Sequence, residues 1–251
     1  MTVYFVGAGS GNPEWLTIRA KQLLDTCPVC IYAGSLISPE IIELIPSSAI
    51  RYDSSGMTLT EMISVMKNYS EKGSNILRLH TGEPTLYGAI CEQMNELDRL
   101  NIDYEIVPGI SAFQAAAAAL KSELTLPNGS QTVIISRISG NTPVPDEQEL
   151  ERLAVTKSTL CLYLSVHRLS EIVTRLIPYY GADCPAAVVE HASWSNERCV
   201  KGTLSTIVEL ASGIKRTAVI IVGHALNRAC SASRLYANDF SHGYRKGNNE
   251  S

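Results

Sequence analysis

Three glycine-bearing segments carry the residues best suited to holding a ligand. Gly7-Ala8-Gly9-Ser10-Gly11 follows a short apolar run and precedes Asn12-Pro13. His80-Thr81-Gly82-Glu83-Pro84-Thr85-Leu86-Tyr87-Gly88 follows Ile76-Leu77-Arg78-Leu79, and Val107-Pro108-Gly109-Ile110-Ser111-Ala112 closes a third apolar run. Glycine admits positive φ and lets a ligand come close to the backbone. A nicotinamide dinucleotide would require G-x-G-x-x-G and a carboxylate near the end of the second strand to hold the ribose. The sixth position here is Asn12, and Ile31-Tyr32-Ala33-Gly34 ends with no acid. The glycines therefore point to a bound ligand other than a dinucleotide.

Redox and metal chemistry are poorly provided for. Cys27-Pro28-Val29-Cys30 is a CxxC, but its second cysteine opens an apolar strand rather than a helix. There is no second CxxC or HxxxH to complete a zinc set. The seven cysteines are an odd number in a chain too long to need cross-links, which fits idle thiols in a reducing compartment. The five histidines lack metal spacing. Only His80 adjoins a ligand loop, where a structural hydrogen bond and proton transfer are both open. No bound metal is expected.

The elements that must position these loops alternate. Strands are predicted at Val3–Val6, Val29–Tyr32, Ile76–Leu79 and Tyr104–Val107, with helices at Glu14–Leu24, Pro39–Leu44, Leu59–Lys72 and Tyr87–Leu100 between them. Asn12 as N-cap and Pro13 at the first helical position mark the first helix start. Strand, crossover helix, strand implies a parallel sheet with ligands at its carboxyl edge. An alanine-rich helix, Ser111–Leu120, leads to a polar stretch containing Pro127-Asn128-Gly129. Strands then follow at Thr132–Ser136, Thr159–Leu164, Ala186–Glu190, Arg198–Lys201 and Ala218–Val222, with helices at Glu147–Ala154, Arg168–Ile177 and Leu204–Ala211. The short link Ala192–Glu197 suggests a hairpin in a mixed sheet. The expected fold class is α/β in two lobes, residues 1–114 and 115–240, with a polar tail at 241–251.

Bulk properties set limits. The chain has 251 residues, 45% of them hydrophobic and only 18% charged, which excludes a disordered chain. No apolar run approaches the ~20 residues of a bilayer span. A net charge of −4 argues against broad nucleic-acid binding. Val3-Tyr4-Phe5-Val6 begins so close to Met1 that no secretory leader is expected, and a cytoplasmic location follows as an expectation.

On these residues the chain resembles the tetrapyrrole (precorrin) methylase family. The pattern Val-Gly-Ala-Gly-x-Gly-x-Pro-x-x-Leu-Thr stands at Val6 to Thr17, the family's Gly-Asp-Pro loop at Gly82-Glu83-Pro84, and its Val-Pro-Gly-hydrophobic-Ser at Val107 to Ser111. Further segments resemble the branch that methylates precorrin-4 or cobalt-precorrin-4 at ring carbon 11. They are Tyr32-Ala33-Gly34-Ser35-Leu36, Leu79-His80-Thr81-Gly82, Ser139-Gly140-Asn141-Thr142-Pro143-Val144-Pro145 and Ala192-Ser193-Trp194. Ser233-Arg234-Leu235-Tyr236 and Phe240-Ser241-His242 extend the likeness almost to the end. Ser10 stands where the family usually has Pro, and Glu83 where it has Asp.

The resemblance implies an S-adenosylmethionine-dependent C-methyltransferase of cobalamin biosynthesis. It also implies a homodimer, with cofactor and tetrapyrrole in the cleft between the lobes. Cofactor contacts implied at matching positions are Thr81, Gly82, Glu83, Leu86, Ser111 and Ala112 from the first lobe, and Leu164, Ala192, Thr217 and Ala218 from the second. A neutral adenine needs apolar walls and backbone donors and acceptors, which small residues permit. The leaving thioether is neutral, so alignment carries most of the rate. Glu83 is the candidate proton acceptor, with cofactor positioning or helix capping as its competing role. The acceptor's carboxylates call for guanidinium partners. Arg78, Arg137 and Arg168 are the candidates for these, and Tyr87 is a further substrate contact. Other acceptors on the same fold, namely a different precorrin or uroporphyrinogen carbon, RNA or protein, remain open. So do a nicotinamide oxidoreductase and a non-catalytic tetrapyrrole- or cofactor-binding protein.

Overall fold

The computed structural model describes residues 1–127, 129–140, 142–227 and 237–246. Asn128, Asn141, the Ser233–Tyr236 match and the last five residues of the polar tail lie outside the described residues. The chain divides into two compact units. The first comprises Met1–Ala116 together with His191–Arg198, and the second Ala117–Glu190 together with the chain from Cys199 onward.

The first unit contains β1 (Thr2–Gly7), α1 (Ile18–Thr26), β2 (Val29–Tyr32), α2 (Pro39–Glu43), β3 (Ile50–Asp53), α3 (Leu59–Glu71), β4 (Ile76–His80), α4 (Ile90–Arg99) and β5 (Asp103–Val107). Its sheet has the order β3-β2-β4-β1-β5, and every neighbouring pair is parallel. Alternation along β1 sends Val3 and Phe5 to one face, packed with Ile63, Met66, Ile90 and Leu97. Val6 goes to the other face, with Leu23, Leu24, Ile41, Leu77 and Leu79. Burial on both faces explains why these strands read as continuous apolar runs.

Local signals fix the helix starts. Thr17 Oγ1 accepts from Ala20 N at 3.1 Å to start α1. At α3, Thr58 Oγ1 accepts from Glu61 N at 3.3 Å, and Glu61 Oε2 accepts from Thr58 N at 2.7 Å, a reciprocal capping box. Asn12 does cap a helical turn with Pro13 at its start, but that turn is 3-10, spans Pro13–Trp15, and ends before Thr17 restarts the chain as α1. The fourth helix opens at Ile90 rather than Tyr87, because Tyr87 (φ 56°) and Ala89 (φ 49°) are left-handed. Sequence reading passed over β3, a short edge strand of mostly exposed residues.

Helix α5 (Ala112–Leu120) leads to the second unit, which contains β6 (Val133–Ser136), α6 (Leu150–Ala154), β7 (Thr159–Leu162), α7 (Leu169–Tyr180), β8 (Pro185–Glu190), β9 (Arg198–Thr203), α8 (Ile207–Leu210) and β10 (Ala218–Val222). Its sheet runs β6-β7-β10-β8-β9 and is mixed. β6 and β7 are parallel, and β10 is antiparallel to β7 and β8. Leu160, Leu162, Ala186, Val188, Ile220 and Val222 pack one face against Ile172, Leu176 and Ile207. Helix α7 continues past the expected end at Ile177, carrying Pro178 in its last turn.

Candidate active site

In the first unit the loops after β1, β4 and β5 meet, because those strands are neighbours in the sheet. Gly9 and Gly82 form a small antiparallel bridge, with Gly82 N donating to Gly9 O at 2.8 Å and Gly9 N to Gly82 O at 3.2 Å. A Cβ on Gly7 would lie 2.6 Å from both Gly109 N and Gly82 O, and one on Gly109 would lie 2.2 Å from Gly82 O. Only glycine permits three backbones to stack so closely. Gly82 itself is buried with φ +62°, and a Cβ there would touch the backbone of Ile110–Ala112 at 3.8–4.0 Å, so its left-handed turn packs directly on the β5 loop.

Glu83 binds these loops together. Its Oε2 accepts from Gly109 N at 2.8 Å, and its Oε1 accepts from Thr85 N at 3.0 Å and Thr85 Oγ1 at 2.8 Å. Three donors thus reach the carboxylate, tying the β4 loop to the β5 loop. The longer side chain in place of the family's Asp spans both loops. Thr81 is exposed, and its hydroxyl donates to Leu36 O at 3.0 Å, joining the β4 loop to the segment after β2. Ser111 N donates to the Gln114 side chain at 2.9 Å, which fixes the start of α5 beside Ala112. Leu86 is half-buried.

Arg78 and His80 point into the interior of the first unit, each 6% exposed. Arg78 Nε donates to Gln93 Oε1 at 3.2 Å and its Nη1 to Ile31 O at 3.4 Å. Burial lowers its pKa to about 10. The guanidinium expected as a substrate contact is enclosed between the sheet and α4. His80 Nε2 is buried and finds no hydrogen-bond partner among the described residues. Burial first, and the Arg78 charge second, push its pKa down to about 3. The imidazole is therefore neutral at physiological pH. Burial likewise raises the Cys27 and Cys30 thiols to about 11 and 12, which leaves the CxxC protonated and unreactive.

The other two arginines are also committed. Arg137 donates to Thr142 O and Pro143 O, both at 2.9 Å. Arg168 pairs with both Glu171 oxygens, at 2.6 and 2.7 Å, and also donates to Ser139 O. Both hold the Ser139–Pro145 loop in place of facing a ligand as free cations. Tyr87 is 45% exposed.

In the second unit, Leu164, Thr217 and Ala218 come to one sheet edge. Strand β10 pairs Ile220 with Leu162 of β7, two residues before Leu164, and Ala218 with Glu190 of β8. Leu164 (φ 54°, 64% exposed) and Thr217 (φ 51°) are both left-handed. For a leucine and a β-branched threonine that conformation is strained, and such strain collects at functional sites. Ala192, expected on the second lobe, groups with the first unit because Ser193 and Trp194 bond to Ser10 and Asn12. Among the described residues, no group of three or more His, Cys, Asp or Glu side chains is placed to hold a metal ion.

Fold and site together define a tetrapyrrole methylase. The family model of the tetrapyrrole (corrin/porphyrin) methylases matches residues 2–208, and the chain belongs to that family. A cobalt-precorrin-4 C(11)-methyltransferase of Methanocaldococcus jannaschii is 47% identical over 97% of this chain and 96% of its own. The precorrin-4 C(11)-methyltransferase of Pseudomonas aeruginosa is 42% identical over 98% and 100%. The solved structure of a cobalt-precorrin-4 methyltransferase superposes with a TM-score of 0.87 at 38% identity, covering 90% of this chain and 95% of the other. Uroporphyrin-III C-methyltransferase of Thermus thermophilus, solved with S-adenosyl homocysteine, gives 0.77 at 26% identity, covering 90% and 99%.

Proposed function

We propose that this chain transfers a methyl group from S-adenosylmethionine to carbon 11 of precorrin-4 or its cobalt complex, within corrin-ring biosynthesis. The observation that carries this reading is near-complete coverage by two relatives, each named for that position of methylation. The donor set fits such a cofactor. Leu86, Ala112, Leu164, Ala192 and Ala218 are small or apolar, as a neutral adenine requires. S-adenosylmethionine supplies an electrophilic methyl on sulfur with a neutral leaving group. What the protein contributes is therefore alignment and exclusion of water.

Within this reading Thr81, Gly82, Leu86, Ser111, Ala112, Leu164, Ala192, Thr217 and Ala218 are the cofactor contacts. Glu83 positions the β4 and β5 loops and does not itself take a proton, which its three bound donors support. Tyr87, half-exposed beside that loop, is the substrate contact that this reading retains. A homodimer in the cytosol completes it, on the strength of the family resemblance and the unpaired buried thiols. Calorimetry tests the cofactor assignment. S-adenosylhomocysteine binds and NAD does not. NAD binding alone would reverse the conclusion.

A further inference from the structure

Two distant pieces of the chain meet at the first glycine loop. Ser10 Oγ and Ser193 Oγ share a hydrogen bond of 2.8 Å, Asn12 N donates to Ser193 Oγ at 3.0 Å, and the Trp194 indole N–H donates to Ser10 O at 2.7 Å. The loop of residues 191–197 is itself closed, with Trp194 N on His191 O at 2.8 Å, Ser193 N on Glu197 Oε2 at 2.7 Å, and Trp194 stacked on His191 at 4.7 Å. Gly11 makes room for the indole, since a Cβ there would lie 2.1 Å from Trp194 Cδ1.

At the centre of this arrangement lies Ala192, 7% exposed. Its flanking residues, His191 (φ 50°) and Ser193 (φ 69°), are both left-handed. Non-glycine residues hold that conformation only where their surroundings over-determine it. The hydrogen bonds just named use the neighbours of Ala192 and neither its own N–H nor its own carbonyl.

We infer that Ser10, Ser193 and Trp194 are positioning residues, forming a clasp that sets the backbone of Ala192 for the nucleoside of the cofactor. The inference rests on the proposed cofactor role of Ala192. It also gives Ser10 a task that the family's usual proline could not perform in this way, because proline has no hydroxyl to meet Ser193. The Ser10–Ser193 bond is a shared contact, so losing either partner removes the same interaction.

S-adenosylhomocysteine affinity, measured by calorimetry, tests the clasp. S10A should weaken binding on the order of five- to tenfold, the loss of one well-placed hydrogen bond, and S193A, which also loses the Asn12 N bond, at least as much. The double variant should be no weaker than the worse single one. W194F, which keeps a ring but loses the N–H, should show a similar loss, and S10T should recover the wild-type affinity. Acceptor KM at saturating cofactor should not move, and amide exchange at residues 192–194 should quicken in S10A. Affinity within twofold of wild type in S10A, S193A and W194F, each with an unchanged circular dichroism spectrum, would overturn the clasp. So would a change confined to acceptor KM. A192L separates the two layers: if it binds S-adenosylhomocysteine as tightly as wild type, the cofactor role of Ala192 falls, whatever the clasp variants do.

Discussion

Single residues show what local chemistry does and does not announce. Glu83 is conspicuous in sequence as a lone carboxylate in a ligand loop, yet its three donors come from Thr85 and from Gly109, which lies 26 positions away. No local spacing reveals the Gly109 bond. A positioning role predicts that E83A weakens S-adenosylhomocysteine binding and costs roughly 2 kcal/mol of stability in urea titration, while single-turnover rate at saturating cofactor stays within about tenfold. A proton-transfer role would leave affinity intact and cut the rate by about 10²–10⁴.

His80 gives a pH signature. Its folded pKa is about 3 against an ordinary 6.5, so below 6.5 the unfolded chain takes up a proton that the folded chain refuses. This part of the stability is complete above pH 6.5 and is lost as the pH falls toward 3, at up to about 1.4 kcal/mol per pH unit. Urea midpoints at about pH 7.5 and pH 5 should converge in H80Q relative to wild type. Equal slopes in the two proteins would refute the assignment. The arginines teach a complementary lesson. Residue type marks Arg78, Arg137 and Arg168 as anion partners, but not the burial of Arg78, the carbonyls around Arg137 or the Glu171 pair of Arg168.

At the level of elements, strong periodic signals carried far. Strand β2 and strand β10 stand where apolar runs predict them, and the three glycine loops meet because β4, β1 and β5 are adjacent. Edge strand β3 was illegible because Ile50-Arg51-Tyr52-Asp53 has no buried face to enforce a pattern. The link Ala192–Glu197 looked like a plain turn between strands, and only tertiary bonding shows that it belongs with the first unit.

In the second unit, the Ser139–Pro145 signature loop depends on a charged network that no motif records. Arg175 binds Glu149 and both oxygens of Glu151 at 2.6 Å, and Glu149 accepts from Ser139 Oγ at 2.6 Å. R175A leaves two carboxylates facing each other, and should lower stability by roughly 1–3 kcal/mol in denaturant titration. R175K should fall between, lacking the planar fork. An R175A protein as stable as wild type would show the network to be a solvated surface arrangement.

For the whole molecule, the charge balance bears on how a polyanionic acceptor arrives. The chain carries −4, and the three arginines that might have drawn the substrate's carboxylates are engaged within the protein. A net negative charge repels a polyanion at long range, most at low ionic strength, where the Debye length is about 30 Å. Raising salt from about 0.01 to 0.15 M should lower acceptor KM or leave it unchanged. A steep rise would reveal a concentrated cationic patch.

Methyl transfer to a precorrin-4-type acceptor is tested most directly by mass spectrometry of a single reaction. With S-adenosylmethionine labelled in its methyl group, precorrin-4 or cobalt-precorrin-4 should gain one labelled methyl, located at carbon 11 by NMR. Unchanged acceptor in both reactions, with S-adenosylhomocysteine still bound tightly, would contradict the account and leave a binding protein on a methylase fold.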